Sequence, residues 1–278
     1  MIEIRNLNFH YSRKKEVYKN LNLKLEEGTV AALLGMNGAG KTTLLNLIAG
    51  FLIPKDGKCM VKRNESSKRV PEMLQDLFMV SDISEFPSTT ITKFCLMYCD
   101  FYPTFDHELF QHCIAEFNLS PEQSLKRLSH GEKRKVMLSF ALATRCKVLL
   151  FDEPTNGLDI PSKASFRKLI ASSTDEKQTI LLATHQVRDL ANIVDRVIIE
   201  HRGEIILNET TDRISEKLLF GTQSENINPE DLIFLHKGIA SNEFVAINRN
   251  GNSGLLDIEL LFNAAVSEPA KLSSVFNY

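Results

Sequence analysis

The residues from Gly35 to Thr43 read GMNGAGKTT, a run of glycines closed by lysine and threonine that satisfies the spacing G-x-x-x-x-G-K-[ST]. In such a loop the backbone N–H groups of Asn37, Gly38, Ala39, Gly40, Lys41, Thr42 and Thr43 wrap phosphate oxygens. Lys41 bridges the outer phosphates, and Thr42 offers its hydroxyl to Mg²⁺. A second stretch, KVLLFDEP from Lys147 to Pro154, sets two carboxylates at the end of an apolar run. Asp152 is suited to the Mg²⁺ shell and Glu153 to polarising water.

Those groups need a scaffold. Thr29 to Leu34 is a short apolar run that suits a fully buried strand, and Leu44, Leu45, Leu47 and Ile48 recur at helical spacing before Gly50 and Pro54. The order is strand, glycine loop, helix. Before it, Ile2 and Ile4, then Leu21, Leu23 and Leu25, alternate as in strands. From about Thr90 to Arg127 the pattern is helical, punctuated by Pro103 and Pro121. A helix is expected from Gly131 to about Thr144, a strand from Val148 to Phe151, a helix after Pro161, and strands at Thr179 to Ala183, Val197 to Glu200 and Ile205 to Leu207. Alternating strands and helices imply an α/β fold with a mainly parallel sheet. Further on, NRNGNSG from Asn248 to Gly254 predicts a hairpin turn at Asn250-Gly251, and Leu255 to Val266 a terminal helix.

The chain of 278 residues is long enough for one large domain with an appendage, and its 43% hydrophobic and 24% charged content is ordinary for a folded protein. No apolar run reaches the ~20 residues of a spanning helix, and the N-terminus lacks the build of a secretory signal, so a cytosolic protein is expected. Five cysteines (Cys59, Cys95, Cys99, Cys113, Cys146) without a CxxC pair suggest reduced thiols. A formal charge of −2 gives no bulk attraction to nucleic acid.

Taken in order, these motifs resemble the ATP-binding cassette family. Leu128 to Lys133 reads LSHGEK, similar to that family's signature LSGGQ, with His130 at a glycine position and Glu132 for glutamine. The resemblance implies a P-loop NTPase core with an antiparallel N-terminal β subdomain and a helical subdomain at about 88–145, together spanning 1–211; residues 212–278 lie outside it and are expected to form a C-terminal accessory segment. It implies ATP and Mg²⁺ as cofactors, and Ser129 and Gly131 presented to the γ-phosphate on a second protomer, so that the working unit is a dimer of like or related cassettes. By itself Ser129 reads as a helix N-cap with Glu132 completing a capping box, and both readings are compatible. Asn156 to Asp159 (NGLD) is similar to the loop that couples the two sites. His185 after Thr184 matches the switch histidine that contacts the γ-phosphate and orients the attacking water. Tyr11 resembles the aromatic that stacks on adenine, with Phe9 close enough to compete. One departure stands out: aligning Phe86-Pro87 with the family's aromatic-proline pair puts Ser81 or Asp82 where the family has a Mg²⁺-contacting glutamine.

The resemblance therefore implies an ATP-hydrolysing subunit that drives separate membrane-spanning transporter subunits from the cytoplasmic face of the membrane. The helical region containing FYPTFDHELF looks most like the exporter-type group. The alternative is a soluble cassette ATPase acting on ribosomes or DNA, whose usual paired cassettes, coiled-coil insertions or zinc modules are not seen in this sequence.

Overall fold

The computed structural model describes residues 2–12, 15–81, 86–186, 192–222, 227–237, 242–249, 251 and 254–276. Strands β1 (Ile2–Ser12) and β2 (Lys15–Leu25) form a long antiparallel pair whose Ile2, Ile4, Leu7, Leu21, Leu23 and Leu25 are buried. Strand β3 (Val30–Leu34) leads through the glycine loop into helix α1 (Lys41–Ile48), which ends just before Gly50. There follow β4 (Asp56–Val61), the short β5 (Asn64–Glu65), α2 (Pro71–Gln75) and β6 (Leu77–Val80). The helical region holds α3 (Ile91–Tyr98), α4 (His107–Glu116) and α5 (His130–Ala143). Next come β7 (Val148–Asp152), α6 (Ile160–Ser173), β8 (Thr179–Thr184), β9 (Arg196–His201) and β10 (Glu204–Thr210). The C-terminal part contains α7 (Thr211–Lys217), β11 (Leu218–Thr222), β12 (Leu232–Lys237), β13 (Asn242–Ile247), α8 (Ile258–Ser267) and α9 (Pro269–Phe276).

Six strands form the central sheet in the order β10-β9-β3-β8-β7-β6, parallel except for β10. Its core strands are apolar without interruption because both faces are covered. Along β3 the pleat sends Ala31 and Leu33 to one side and Ala32 and Leu34 to the other; Val148 and Leu150 part from Leu149 and Phe151 in the same way. The first side meets α1 and the antiparallel sheet β2-β1-β4-β5. The second meets α3 to α6 and, toward β9 and β10, the C-terminal helices.

A chain without tryptophan fills the helical region with phenylalanine. The Phe140 ring of α5 lies 5.0 Å from Phe105, 5.4 Å from Phe94 and 5.6 Å from Phe78, an aromatic cluster that fixes α5 against α3 and β6. Arg145 just beyond α5 donates to Asp106 at 3.0 Å, the residue that caps α4. All five cysteines are buried and free.

The C-terminal part departs from expectation. Strands β11, β13 and β12 make a third, antiparallel sheet that the sequence did not announce. The hairpin expected at Asn250-Gly251 falls partly outside the described residues; among the described residues β13 ends at Ile247 and the next element is α8. Asn250 itself lies outside the described residues. Ile258, Leu261 and Ala265 of α8 and Leu272 and Phe276 of α9 join the same core as Val197, Ile199 and Leu207 of β9 and β10.

Candidate functional site

Parallel strands deliver their following loops to one edge of the sheet, and nearly every residue singled out for chemistry lies there. The register aligns Leu34 with Thr184, Asp152 with Ala183, and Val80 with Phe151. The loop from Gly35, the pair Asp152-Glu153 and the pair Thr184-His185 thus become neighbours across three adjacent strands.

Within the loop Gly40 has φ 136°, and a Cβ placed there would stand 2.5 Å from the Tyr18 hydroxyl, so glycine is required twice over. Asn37 and Gly38 form the exposed crest, and the Ala39 N–H donates to Met36 O at 3.1 Å. Lys41 is buried at the start of α1, its Nζ 2.8 Å from Gly35 O, 3.1 Å from Met36 O and 3.9 Å from Glu153 Oε1. Burial lowers its pKa, against the opposing pull of Glu153, Glu200 and Asp152. The ammonium is held on its own loop's carbonyls, facing the space between Gly35 and Glu153.

Thr42 Oγ1 donates to Asp152 Oδ2 at 2.7 Å across 110 residues of sequence. Asp152 Oδ1 is buried with no partner among the described residues, and burial raises the pKa of its carboxyl despite the Thr42 bond. A hydroxyl and an orphaned carboxylate oxygen are the hard donors that Mg²⁺ accepts, so the residues fit that cation.

Glu153 stands at φ 45°, an uncommon conformation for a residue with a side chain. The turn aims its carboxylate back toward the sheet edge. Oε1 pairs with His185 Nδ1 at 2.7 Å, and Thr184 Oγ1 donates to Oε2 at 2.9 Å. A carboxylate fixed on both oxygens beside an imidazole can order water and move a proton. Tyr11 bonds Thr43 Oγ1 at 3.0 Å through its hydroxyl and packs its ring edge-on against Phe9, and the residue as a whole is 56% exposed. Phe9 is buried, so Tyr11 is the free aromatic face.

Ser129, Gly131 and Asp159 form a separate group. Ser129 caps α5 in a full capping box with Glu132, whose carboxyl is held below its usual range by those bonds. Asp159 caps α6 by accepting from Ser162 N at 3.0 Å, and the Ser162 hydroxyl together with that N–H lowers its pKa. A Cβ at Gly131 would lie 2.7 Å from Gly157 O, so the start of α5 rests on the Asn156–Asp159 turn. The hydrogen bonds described for Ser129 and Asp159 stay within these caps rather than reaching the phosphate loop.

Ser81 or Asp82 was expected at this edge, whereas Arg134 and Gln186 were missed. Ser81 follows β6 at the same edge, and its carbonyl accepts from Arg134 Nη1 at 2.9 Å; Asp82 lies outside the described residues. Arg134 is buried on α5, its charge acting on Asp152, yet in the run EKRK it reads as one more surface cation. Gln186 donates to Asn156 Oδ1 at 2.7 Å and accepts from Lys163 at 3.0 Å, tying the His185 strand end to the Asn156–Asp159 turn.

Residues 18–156, which carry the phosphate loop, the capped α5 and the Asp152-Glu153 pair, match the ABC transporter family. The chain belongs to that family. ABC transporter ATP-binding protein NatA of Bacillus subtilis is 29% identical over 250 residues, covering 86% of this chain and all of its own length (100%). Zinc import ATP-binding protein ZnuC of Buchnera aphidicola is 30% identical, over 71% of this chain and 79% of its own. Lantibiotic transport ATP-binding protein SrtF of Streptococcus pyogenes is 28% identical, over 80% and 97%. Among solved structures, an ATP-binding subunit of an ABC transporter superposes with TM-score 0.69 at 22% identity, over 77% of this chain and 91% of its own. A dimeric ATP-binding cassette holding ADP and phosphate after hydrolysis gives 0.65 at 21%, over 76% and 98%. As a member of the ABC transporter family, the protein is the ATP-binding and ATP-hydrolysing subunit of a membrane transporter. Action on ribosomes or DNA is not favoured. None of the described helices is long and apolar enough to cross a membrane.

Proposed function

We propose that ATP binds with its phosphates in the loop from Gly35 to Thr43 and its adenine on Tyr11, and is hydrolysed between Lys41, Glu153 and His185. Lys41 leaves its loop carbonyls for the outer phosphates. Thr42 and Asp152 hold Mg²⁺, which when bound neutralises charge on the phosphates. Glu153 orders and polarises the attacking water, and His185, held by Glu153, contacts the γ-phosphate. The observation that carries this reading is the convergence of the Thr42–Asp152 and Glu153–His185 bonds, each 2.7 Å, with Lys41 Nζ 3.9 Å from Glu153 Oε1.

In this reading Ser129 and Gly131, at the N-terminus of α5, serve the nucleotide of a second protomer, and Asp159 lies in the turn between the two sites. A fold relative that is dimeric with ADP and phosphate supports the arrangement. Residues 1–211 act as the cassette, with 88–145 as its helical subdomain, and 212–278 as a layer built onto its core. The membrane partner is a separate subunit at the cytoplasmic face. Phe51 and Phe101, each more than half exposed, line a cleft of about 500 Å³ with Pro71, Leu74 and Phe78, a surface suited to an apolar segment of that subunit. The exporter-type branch, in keeping with the lantibiotic transport relative, is the one we favour.

The test is phosphate release by the wild type and by Glu153→Gln, with light scattering of the variant in ATP and Lys41→Ala as the non-binding control. Hydrolysis is expected to fall at least about a hundredfold in Glu153→Gln, with a dimer that forms only with ATP and only with Lys41 intact. Equal phosphate release from wild type and Glu153→Gln would remove Glu153 from the chemistry, and a constant monomer would remove the dimer.

A further inference from the structure

Strand β9 carries the run Val197-Ile198-Ile199-Glu200, and its pleat sends Val197 and Ile199 to the helical side of the sheet and Ile198 to the α1 side. Alternation places position 200 on the α1 side too, where an apolar residue is expected. The chain has a glutamate there with 0% exposure. One oxygen, Oε1, accepts from the Gly203 N–H at 3.0 Å; the other, Oε2, is buried with no partner among the described residues. Because β9 pairs with β3, that free oxygen faces the start of the phosphate loop, 3.2 Å from where a Gly35 Cβ would stand. Tyr18 of β2 encloses the same loop under Gly40, and its buried hydroxyl is likewise unpartnered. Orphaned buried oxygens are rare, and two of them border one loop.

We propose that Glu200 is a positioning residue for nucleotide binding: from beneath the loop its carboxyl draws on the Lys41 ammonium that the nucleotide's phosphates also require, and so sets how tightly the loop holds nucleotide. This rests on the reading of Gly35 to Thr43 as the ATP-binding loop. Lys41 lies on Gly35 O and Met36 O, and Glu200 is one of three carboxylates whose charge acts on it, with Glu153 and Asp152. A negative charge at Glu200 competes for Lys41 and repels incoming phosphates; a neutral carboxyl does neither.

Burial raises the Glu200 pKa, so its neutral form extends above the usual carboxylate range and the ionised form lies on the alkaline side. Nucleotide affinity should therefore fall as pH rises through that titration. Reciprocally, binding should take up a proton. The ionisable groups facing Glu200 are Lys41 from α1 and Tyr18 from β2, whose own pKa burial raises. Ile205, opposite on β10, and Gly35 and Ala39 of the loop bring no charge, and His201 and Arg202 follow on its own hairpin.

The experiment is calorimetric titration of the full chain with Mg²⁺ and the non-hydrolysable analogue AMP-PNP from about pH 5, near the ordinary carboxylate range, to about pH 9. Wild type is expected to lose about three- to ten-fold in affinity across its Glu200 titration. Glu200→Gln, which keeps the shape, should show no such loss and match the acidic limb of the wild type. Parallel profiles for the two proteins overturn the inference while leaving the loop reading intact; failure of the wild type to bind AMP-PNP at any pH overturns both. Should Glu200→Gln not fold, wild-type proton uptake measured in two buffers of different ionisation enthalpy decides, and zero uptake across the range overturns the inference.

Discussion

Gly131→Ala is a small change whose cost can be worked from geometry. Alanine favours a helix over glycine by up to about 1 kcal/mol, so propensity alone predicts a more stable α5. The new methyl, however, would lie 2.7 Å from the Gly157 carbonyl oxygen, where ordinary contact begins at 3.4 Å. The start of α5 and the Asn156–Asp159 turn must separate by the difference, 0.7 Å. Backbone stands on both sides, so no flexible side chain can absorb it. Overpacking of this kind costs about 1–3 kcal/mol, which leaves a net loss of about 0.5–2 kcal/mol. In a chain of this size that lowers Tm by about 1–4 °C in a thermal melt. Asp159→Ala, which removes the cap of α6 in the same turn, should combine with Gly131→Ala less than additively, since both loosen one contact. A Gly131→Ala protein as stable as the wild type, or more so, would refute the close packing of α5 on that turn.

Two further outcomes follow from the site. Thr42→Val removes the hydroxyl at constant shape and leaves neither Asp152 oxygen with its described partner. Calorimetry should show ATP affinity in Mg²⁺ falling by about ten-fold or more while affinity in EDTA changes by less than about three-fold, and equal losses in both would count against Thr42 and Asp152 as the cation's ligands. Tyr11→Phe loses the bond to Thr43 but keeps the ring, and should bind a fluorescent ATP analogue within about two-fold of wild type, whereas Tyr11→Ala should lose about ten-fold. Equal losses would assign the effect to the hydroxyl and remove the stacking role.

What could be read in the sequence was whatever is fixed locally. The loop from Gly35 to Thr43, the strand-end pair Asp152-Glu153 and the Ser129 cap each depend on residues a few positions apart, and their spacing carries their geometry. Glu200 and Tyr18 escaped because what matters there is the pairing of β9 with β3, which brings Glu200 against Gly35 from far along the chain. The signal was present, a lone acid in the apolar run RVIIEH, but an isolated glutamate near a strand end is ordinarily solvated. Asn250-Gly251 misled for the opposite reason. Turn chemistry predicts that the backbone bends, and Gly251 does take φ 64°, but not what comes next. That is decided by Ile258, Leu261 and Ala265, whose helical spacing buries them against β9 and β10.

The two groups of site residues, one around the phosphate loop and one around Ser129 and Asp159, have a physical bridge within the same chain. Glu153 Oε1 holds His185 at 2.7 Å, and the next residue, Gln186, is bonded to Asn156 at 2.7 Å and Lys163 at 3.0 Å. Asn156 begins the turn on which α5 rests through Gly131, and Lys163 lies in the first turns of α6, whose cap is Asp159. A movement of His185 toward or away from a γ-phosphate therefore pulls on the turn that supports the start of α5. These bonds measure 2.7–3.0 Å and weaken as they lengthen, so a displacement of His185 larger than its partners' side chains can follow either moves the turn or breaks the bridge. If Ser129 and Gly131 serve the nucleotide of a second protomer, hydrolysis at one site alters the surface offered to the other through this path.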